Sequence, residues 1–258
     1  MSTAPSVMET MIEPNAGSEG KSGKKFRGKS SDNLNWDNSI SFMVVHELKT
    51  PLSTIRTHAA YLKKNIASMN PKDIGDKIQI IEAQAVRIGS MLKDILALGQ
   101  AVAPRIGINR ERINICSFFT ALKSEIELQF NRSHHINFIA QVDQKELFID
   151  CDLLRNIFTN LLVNAIKFSP DKTDVWMELC DAEGSLEVTV KDEGMGIDEK
   201  EMLKIFHPFQ RGSNATGIDG TGLGLCIVKK AIDALEGSIK VSSSPGRGAV
   251  FKVIIPNI

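Results

Sequence analysis

Residues 42–66, FMVVHELKTPLSTIRTHAAYLKKNI, carry a regular apolar pattern that predicts a long helix. Apolar residues recur every three or four positions, the spacing of one helix face, at Phe42, Val45, Leu48, Leu52, Ile55, Ala59, Leu62 and Ile66. A second stripe follows Pro71, at Ile74, Ile78, Ile81, Ala85, Ile88, Leu92 and Ile95. Two such helices with a short connection predict an antiparallel hairpin over residues 36–104. Because two helices alone enclose no core, we expect a homodimer that completes a four-helix bundle.

The charge and composition of the 258-residue chain exclude several classes of protein. Lysine and arginine number 31, as do aspartate and glutamate, and this balance argues against nucleic acid as the partner. A hydrophobic fraction of 42% excludes global disorder. Four isolated cysteines without zinc-binding spacing favour free thiols and a cytoplasmic location. We expect no membrane span, because no apolar run approaches the ~18 residues that a span needs.

The regions outside the hairpin differ from each other in pattern. Residues 1–35 are rich in Ser, Gly, Asn and Lys, and we interpret them as a disordered tail or linker. Between residues 110 and 258, helices are predicted at 117–130, 151–168 and 222–235, and strands at 136–141, 175–180, 186–191, 238–243 and 249–255. Asp198 and Glu201 have the spacing of a capping box before a short helix. This mixture predicts an α/β sandwich with the sheet covered on one face.

The string His46-Glu-Leu-Lys-Thr-Pro51 places a titratable side chain inside the first long helix. Histidine titrates near neutrality and is nucleophilic when uncharged. Glu47 can accept the proton of Nδ1 and leave Nε2 to attack, and Thr50 lies at i+4 on the same face as His46. Pro51 lacks a helix N–H, so we expect a bend here. A histidine beside a glutamate is by itself an ordinary surface pair, and only the longer string is specific.

Four further motifs follow the His46 string along the chain. They are NLLVNAIKF at 160–168, DEGMGI at 192–197, FHPFQRG at 206–212 and GTGLGL at 220–225. In this order the five motifs resemble the phosphoacceptor box, N box, first glycine box, F box and second glycine box of bacterial two-component sensor histidine kinases. The resemblance covers roughly residues 36–256. It implies a dimerisation and phosphoacceptor hairpin followed by a catalytic domain of the Bergerat ATP-binding fold.

The resemblance implies a site for ATP and Mg²⁺, and the residues suit those ligands. Asn160 and Asn164 share one helix face and would offer carbonyl oxygens to Mg²⁺, a cation that prefers oxygen ligands. Lys167, one turn nearer the helix end, would contact phosphate. Asp192 would accept a hydrogen bond from the adenine amino group.

Glycine-rich segments complete the expected nucleotide site. Gly194 and Gly196 would let the backbone approach the base closely. Arg211 matches a family arginine that can contact phosphate. The second glycine box precedes a helix, where backbone N–H groups attract phosphate, and its nucleotide-binding residues would be Gly220, Thr221, Gly222, Leu223 and Gly224.

The resemblance also implies the reaction. ATP would phosphorylate His46, assisted by Glu47, and the phosphoryl group would then pass to an aspartate of a response regulator receiver domain. Family members with a threonine at the position of Thr50 often dephosphorylate that partner, and here its hydroxyl would orient the attacking water.

Two alternatives to this function are weaker. An ATP-hydrolysing relative of gyrase type would carry a glutamate where Asn160 stands, and an asparagine cannot take a proton from water. A degenerate kinase would act only as an ATP-binding scaffold or phosphotransfer hub. The intact Asn164, Asp192 and Gly222 argue against a degenerate site.

Overall fold

The computed structural model divides into two compact units, formed by residues 18–96 and by residues 1–17 with 97–258. It describes the chain except for residues 1–7, 13–28, 103–107, 132, 143–145, 183, 214, 216–217, 219 and 257–258.

The helical unit contains the predicted hairpin. Helix α1 (Lys29–Asn65) leads through a short 3₁₀ turn into helix α2 (Pro71–Val102). Asn70 caps α2, because its Oδ1 accepts from the N–H of Asp73 at 2.8 Å, and Pro71 takes the first helical position, which needs no N–H donor. Across the turn, the Lys77 ammonium lies 5.7 Å from the centre of the Tyr61 ring. The hairpin prediction is therefore confirmed.

The apolar stripes of α1 and α2 divide into two sets by burial. Leu48, Ile55, Leu62, Ile74, Ile81, Ile88 and Ile95 are half-buried within a single chain. Other large members of the stripes are more exposed, among them Leu52 at 55%, Ile78 at 43% and Leu92 at 50%. The helical unit of one chain therefore leaves part of its apolar face uncovered.

The second unit is built on a six-stranded mixed sheet. Its strands are β1 (Met8–Ile12), β3 (His135–Gln141), β5 (Asp174–Ala182), β6 (Ser185–Lys191), β7 (Ser238–Ser243) and β8 (Ala249–Pro256), in the order β1-β7-β8-β6-β5-β3. Only the β3–β5 pair is parallel among these. A separate antiparallel pair joins β2 (Arg110–Asn114) to β4 (Glu146–Asp150).

Three helices share one apolar core with the sheet. They are α3 (Ile115–Gln129), α4 (Cys151–Lys167) and α5 (Gly224–Ala234). Buried residues alternate along β5, β6, β7 and β8, so one face of the sheet packs in this core. The start of α4 is fixed by Asp150, whose Oδ1 accepts from the N–H groups of Asp152 and Leu153 at 3.1 and 3.0 Å. The predicted α/β sandwich is confirmed.

Two predictions about local structure are wrong. Residues 8–12 form strand β1 and residues 29–35 belong to α1, so these parts of the 1–35 segment are not a disordered tail; the rest of that segment lies outside the described residues. No short helix follows Asp198, because residues 199–206 form turns. Glu201 Oε1 accepts from the N–H of Ser213 at 3.0 Å instead of completing a capping box.

Candidate active site

His46 lies on α1 with 70% of its side chain exposed to solvent. Its Nδ1 is 3.7 Å from Glu47 Oε1, which is longer than a hydrogen bond but close enough for electrostatic attraction. Thr50 is exposed one turn later. Helix α1 continues through Pro51, which has no N–H to donate to the carbonyl of Glu47. The Glu47 carboxylate thus lies on the Nδ1 side of the His46 ring.

Asp192 follows β6 in the other unit and is only 6% exposed. Its Oδ1 accepts from the N–H groups of Gly194 at 2.8 Å and Ala249 at 3.1 Å. Burial raises the pKa of this carboxyl above its usual range, and the two backbone hydrogen bonds oppose that shift only in part. In the described part of the chain no group donates to Oδ2, so this oxygen can accept from a ligand.

The turn between β7 and β8 clamps the loop that follows Asp192. The N–H groups of Gly248 and Gly246 donate to the carbonyls of Gly194 and Met195 at 2.9 and 2.8 Å. Gly248 has φ +71°, and a Cβ there would overlap the carbonyl of Asp192. Sequence analysis missed this role, although the PGRG run at 245–248 signalled a turn.

Ser243, at the end of β7, forms side-chain hydrogen bonds to the loop that follows Asp192 and to the β7–β8 turn. Its buried hydroxyl donates to the carbonyl of Gly248 at 2.6 Å and accepts from the N–H of Ile197 at 2.9 Å. Gly196, beside Ile197, is buried against the carbonyl of Ser244. The fold thus brings together the predicted residues Asp192, Gly194 and Gly196. It adds Ser243 and Gly248, which the sequence motifs did not indicate.

Asn160 and Asn164 lie one turn apart on α4 and are both half-buried, while Lys167 is exposed at its last position. Asn160 Nδ2 donates to the carbonyl of Asn156 at 2.8 Å. A Cβ on Gly224 would come within 2.7 Å of Asn160 Oδ1, so this oxygen faces the start of α5. The Asn164 carboxamide has no hydrogen-bond partner among the described residues. Two carboxamide oxygens on one helix face fit the ligand preference of Mg²⁺.

The second glycine box forms the N-terminal approach to α5. Gly222 has φ +74°, and its carbonyl accepts from the N–H of Phe209 at 2.8 Å. Thr221 Oγ1 accepts from the N–H of buried Leu223 at 3.2 Å. Gly220 borders open space, with no described atom within 4 Å of a Cβ built on it. Among the described residues no side chain caps the start of α5, and the N–H groups of its first turn, together with this space, suit an anionic ligand.

Arg211 is engaged by its own loop. Its guanidinium Nη2 donates to the carbonyl of Ala215 at 2.9 Å and to that of Ile218. Its phosphate contact therefore stays a prediction, since that contact requires the guanidinium to leave these carbonyls.

Comparisons with known proteins agree with this arrangement. Residues 43–104 match the His Kinase A (phospho-acceptor) domain family. Residues 149–257 match the family of histidine kinase-, DNA gyrase B- and HSP90-like ATPases. The chain is 31% identical to the sensor histidine kinase WalK of Bacillus subtilis, over 83% of this chain and 35% of WalK. It is 29% identical to the phosphate regulon sensor protein PhoR of Pseudomonas aeruginosa, over 81% of this chain and 47% of PhoR.

A solved structure shares the fold. The histidine kinase ThkA, in its complex with the response regulator protein TrrA, superposes with a TM-score of 0.72 at 22% identity, covering 89% of this chain and 64% of that one.

The chain spans less than half the length of WalK and of PhoR. Within the described residues, none of the helices has both the length and the apolar character that a membrane span requires. The two family matches and the identity with WalK show that the chain belongs to the two-component histidine kinases and comprises their phosphoacceptor hairpin and ATPase domain.

Proposed function

We propose that this chain is an ATP-dependent protein-histidine kinase that phosphorylates itself on His46. The observation that carries the proposal is the exposed His46 imidazole, whose Nδ1 lies 3.7 Å from the Glu47 carboxylate. In the reaction Nε2 would form a bond to the γ-phosphorus of ATP as the bond from that phosphorus to the ADP oxygen breaks. The imidazole ring then carries positive charge, which Glu47 stabilises and relieves by taking the proton from Nδ1.

The ATPase domain would hold the nucleotide with three groups of residues. Asp192 Oδ2 would accept from the adenine amino group, because Oδ1 is already occupied by two backbone donors. The N-terminus of α5 and the open space at Gly220 would receive phosphate oxygens. Asn160 and Asn164 would hold Mg²⁺ through their carbonyl oxygens. A bound Mg²⁺ would neutralise charge on the phosphates during transfer.

The residue at position 160 favours phosphoryl transfer over ATP hydrolysis. Asn160 lies against the start of α5, and its carboxamide cannot take a proton from an attacking water. The Nε2 lone pair of a neutral imidazole can attack phosphorus before any proton is removed, and His46 supplies this kind of nucleophile. We therefore assign kinase activity to the chain, and the alternative of a scaffold without activity finds no support.

The working form would be a homodimer. The exposed apolar residues Leu52, Ile78 and Leu92 lie on the predicted stripes and stay uncovered in one chain. Burial of this set against the same set on a second copy would complete a four-helix bundle, and each fully buried leucine or isoleucine side chain contributes about 1.5–3 kcal/mol.

The partner of phospho-His46 would be the receiver domain of a response regulator, with its aspartate as the acceptor. The complex of ThkA with TrrA supports this choice because ThkA has the same fold. Thr50, exposed one turn from His46, would orient water for removal of phosphate from the partner. We place the reaction in the cytoplasm, where ATP is available and where the four unpaired cysteines would stay reduced.

Incubation with radiolabelled ATP and Mg²⁺ tests the proposed function. The chain should acquire phosphate that is lost in acid and retained in base, as a phosphoramidate on histidine requires. A purified receiver domain should then remove the label from the chain. Phosphate that survives acid would place the modification on another residue type and contradict the proposal.

A further inference from the structure

Strand β1 extends the main sheet from a sequence position far from its partner. Residues Met8–Ile12 pair antiparallel with β7, from Met8 opposite Ser243 to Ile12 opposite Ile239. Without β1, β7 would be the outermost strand of the sheet and would expose a row of unpaired N–H and C=O groups. Such an edge accepts an extended peptide through main-chain hydrogen bonds.

We propose that β1 is a built-in peptide ligand of the β7 edge and that its docking tightens the nucleotide site through Ser243. The proposal rests on the assignment of the loop after Asp192 to ATP binding. Met8 pairs with Ser243, the last residue of β7, so docking of β1 holds the strand end that carries this hydroxyl.

From Ser243 the path to the nucleotide site is short and fully hydrogen-bonded. The Ser243 hydroxyl bonds both to the N–H of Ile197 and to the carbonyl of Gly248. Gly248 donates to the carbonyl of Gly194, and the next residue, Ala249, donates to Asp192 Oδ1. Loosening of the β7 end would therefore reach the carboxylate that selects adenine.

Deletion of residues 1–12 tests the proposal against a control that lacks only residues 1–7. Amide hydrogen exchange is measured at 194–197 and at 238–243, and the dissociation constant for a non-hydrolysable ATP analogue is measured by calorimetry. Loss of β1 should accelerate exchange at β7 about tenfold or more and also accelerate it at 194–197. Analogue binding should weaken about three- to tenfold, and the control should match the full chain. A synthetic peptide of residues 6–14 should restore protection.

Equal exchange rates and affinities in both deletions would overturn the proposal. If the full chain itself fails to bind the analogue, the proposed function fails, and exchange at 194–197 alone then decides whether β1 stiffens the loop. A second comparison tests whether Ser243 transmits the effect of β1 to the nucleotide site. Removal of residues 1–12 should weaken analogue binding less in a chain that carries Ser243→Ala than in a control chain that carries Ser242→Ala. An equal loss in both backgrounds would refute transmission through Ser243.

Discussion

The backbone N–H of Ala249 donates to Oδ1 of Asp192 across 3.1 Å, although the two residues lie 57 positions apart in the chain. The N–H of Asp192 in turn donates to the carbonyl of Ala249 at 2.9 Å. These reciprocal bonds hold a buried carboxylate in one orientation, with Oδ2 left for a ligand. The proposed adenine contact is therefore positioned before any nucleotide binds.

Asp192→Asn should weaken binding of an ATP analogue by about ten- to a hundredfold, which corresponds to about 1.5–3 kcal/mol for a hydrogen bond to a charged group. The amide can keep the bonds from Gly194 and Ala249 through its oxygen, but its NH₂ then faces the adenine amino group, donor against donor. Calorimetry measures the effect, with exposed Asp198→Asn as control. Unchanged affinity would remove Asp192 from the site.

The same substitution should have the opposite effect on the stability of the ligand-free chain. Burial raises the Asp192 pKa, so the folded state prefers the protonated carboxyl and the ionised form costs stability at neutral pH. Asp192→Asn should raise the unfolding temperature at pH 7, because the neutral amide avoids the cost of burying a charge. The difference in unfolding temperature between Asp192→Asn and the wild type should become smaller as the pH falls, because the wild-type carboxyl becomes protonated. A difference in unfolding temperature that grows at lower pH would contradict the upward shift of the Asp192 pKa.

Asn164→Ala should slow phosphorylation and raise the Mg²⁺ concentration needed for half-maximal activity by about tenfold or more, the scale of one lost contact of about 1.4 kcal/mol. The reason is that its carboxamide oxygen, unpaired among the described residues, is assigned to the metal. Asn156→Ala on the same helix is the matched control, since it keeps the carbonyl that Asn160 uses. The two variants should separate clearly in a Mg²⁺ titration, and identical titrations would exclude Asn164 as a ligand.

Ile78→Asp should dissociate the dimer. Ile78 is 43% exposed in one chain, so the fold of the hairpin tolerates the change, whereas burial of an unpaired carboxylate between copies costs several kcal/mol. Gln79→Asp, exposed at the next position, should stay dimeric. Light scattering at micromolar concentration gives the mass of each variant. A wild-type chain that is monomeric there would refute the bundle.

Thr50→Ala should autophosphorylate normally yet remove phosphate from the receiver domain at least tenfold more slowly, since about 1.4 kcal/mol lost at a transition state slows a reaction tenfold. The hydroxyl is needed only to orient water, while autophosphorylation uses His46 and Glu47. Exposed Thr57→Ala on the same helix serves as control. If Thr50→Ala clears the phosphorylated receiver domain at the wild-type rate, Thr50 is only a helix residue.

Periodic segments made most of the fold predictable. The helix at 151–168 and the strand at 186–191 show strong periods of 3.6 and 2, and the structure has them at Cys151–Lys167 and Ser185–Lys191. The pair β2–β4 escaped prediction because five-residue strands such as Arg110–Asn114 carry too few alternations to stand out. Strand β1 escaped because its partner, β7, is supplied by the far end of the chain.

The clamp around Asp192 could not be predicted from local pattern for a similar reason. The glycines of the two boxes are visible as motifs, but Ser243 and Gly248 act through hydrogen bonds to residues about 50 positions away. Their partners become known only when β6 and β8 pair. The predicted capping box does not form, because the Glu201 carboxylate accepts a hydrogen bond from the N–H of Ser213 instead. Ser213 lies 12 positions further along the chain, so the local sequence pattern does not reveal this contact.

The central claim is that ATP phosphorylates His46, and a comparison of His46→Gln with His58→Gln tests it most directly. Both histidines lie on α1, so the variants share any general effect on the helix. With radiolabelled ATP and Mg²⁺, we predict that His46→Gln acquires no acid-labile phosphate yet binds an ATP analogue with wild-type affinity, while His58→Gln is labelled like the wild type. Acid-labile phosphate that persists on His46→Gln would contradict the account.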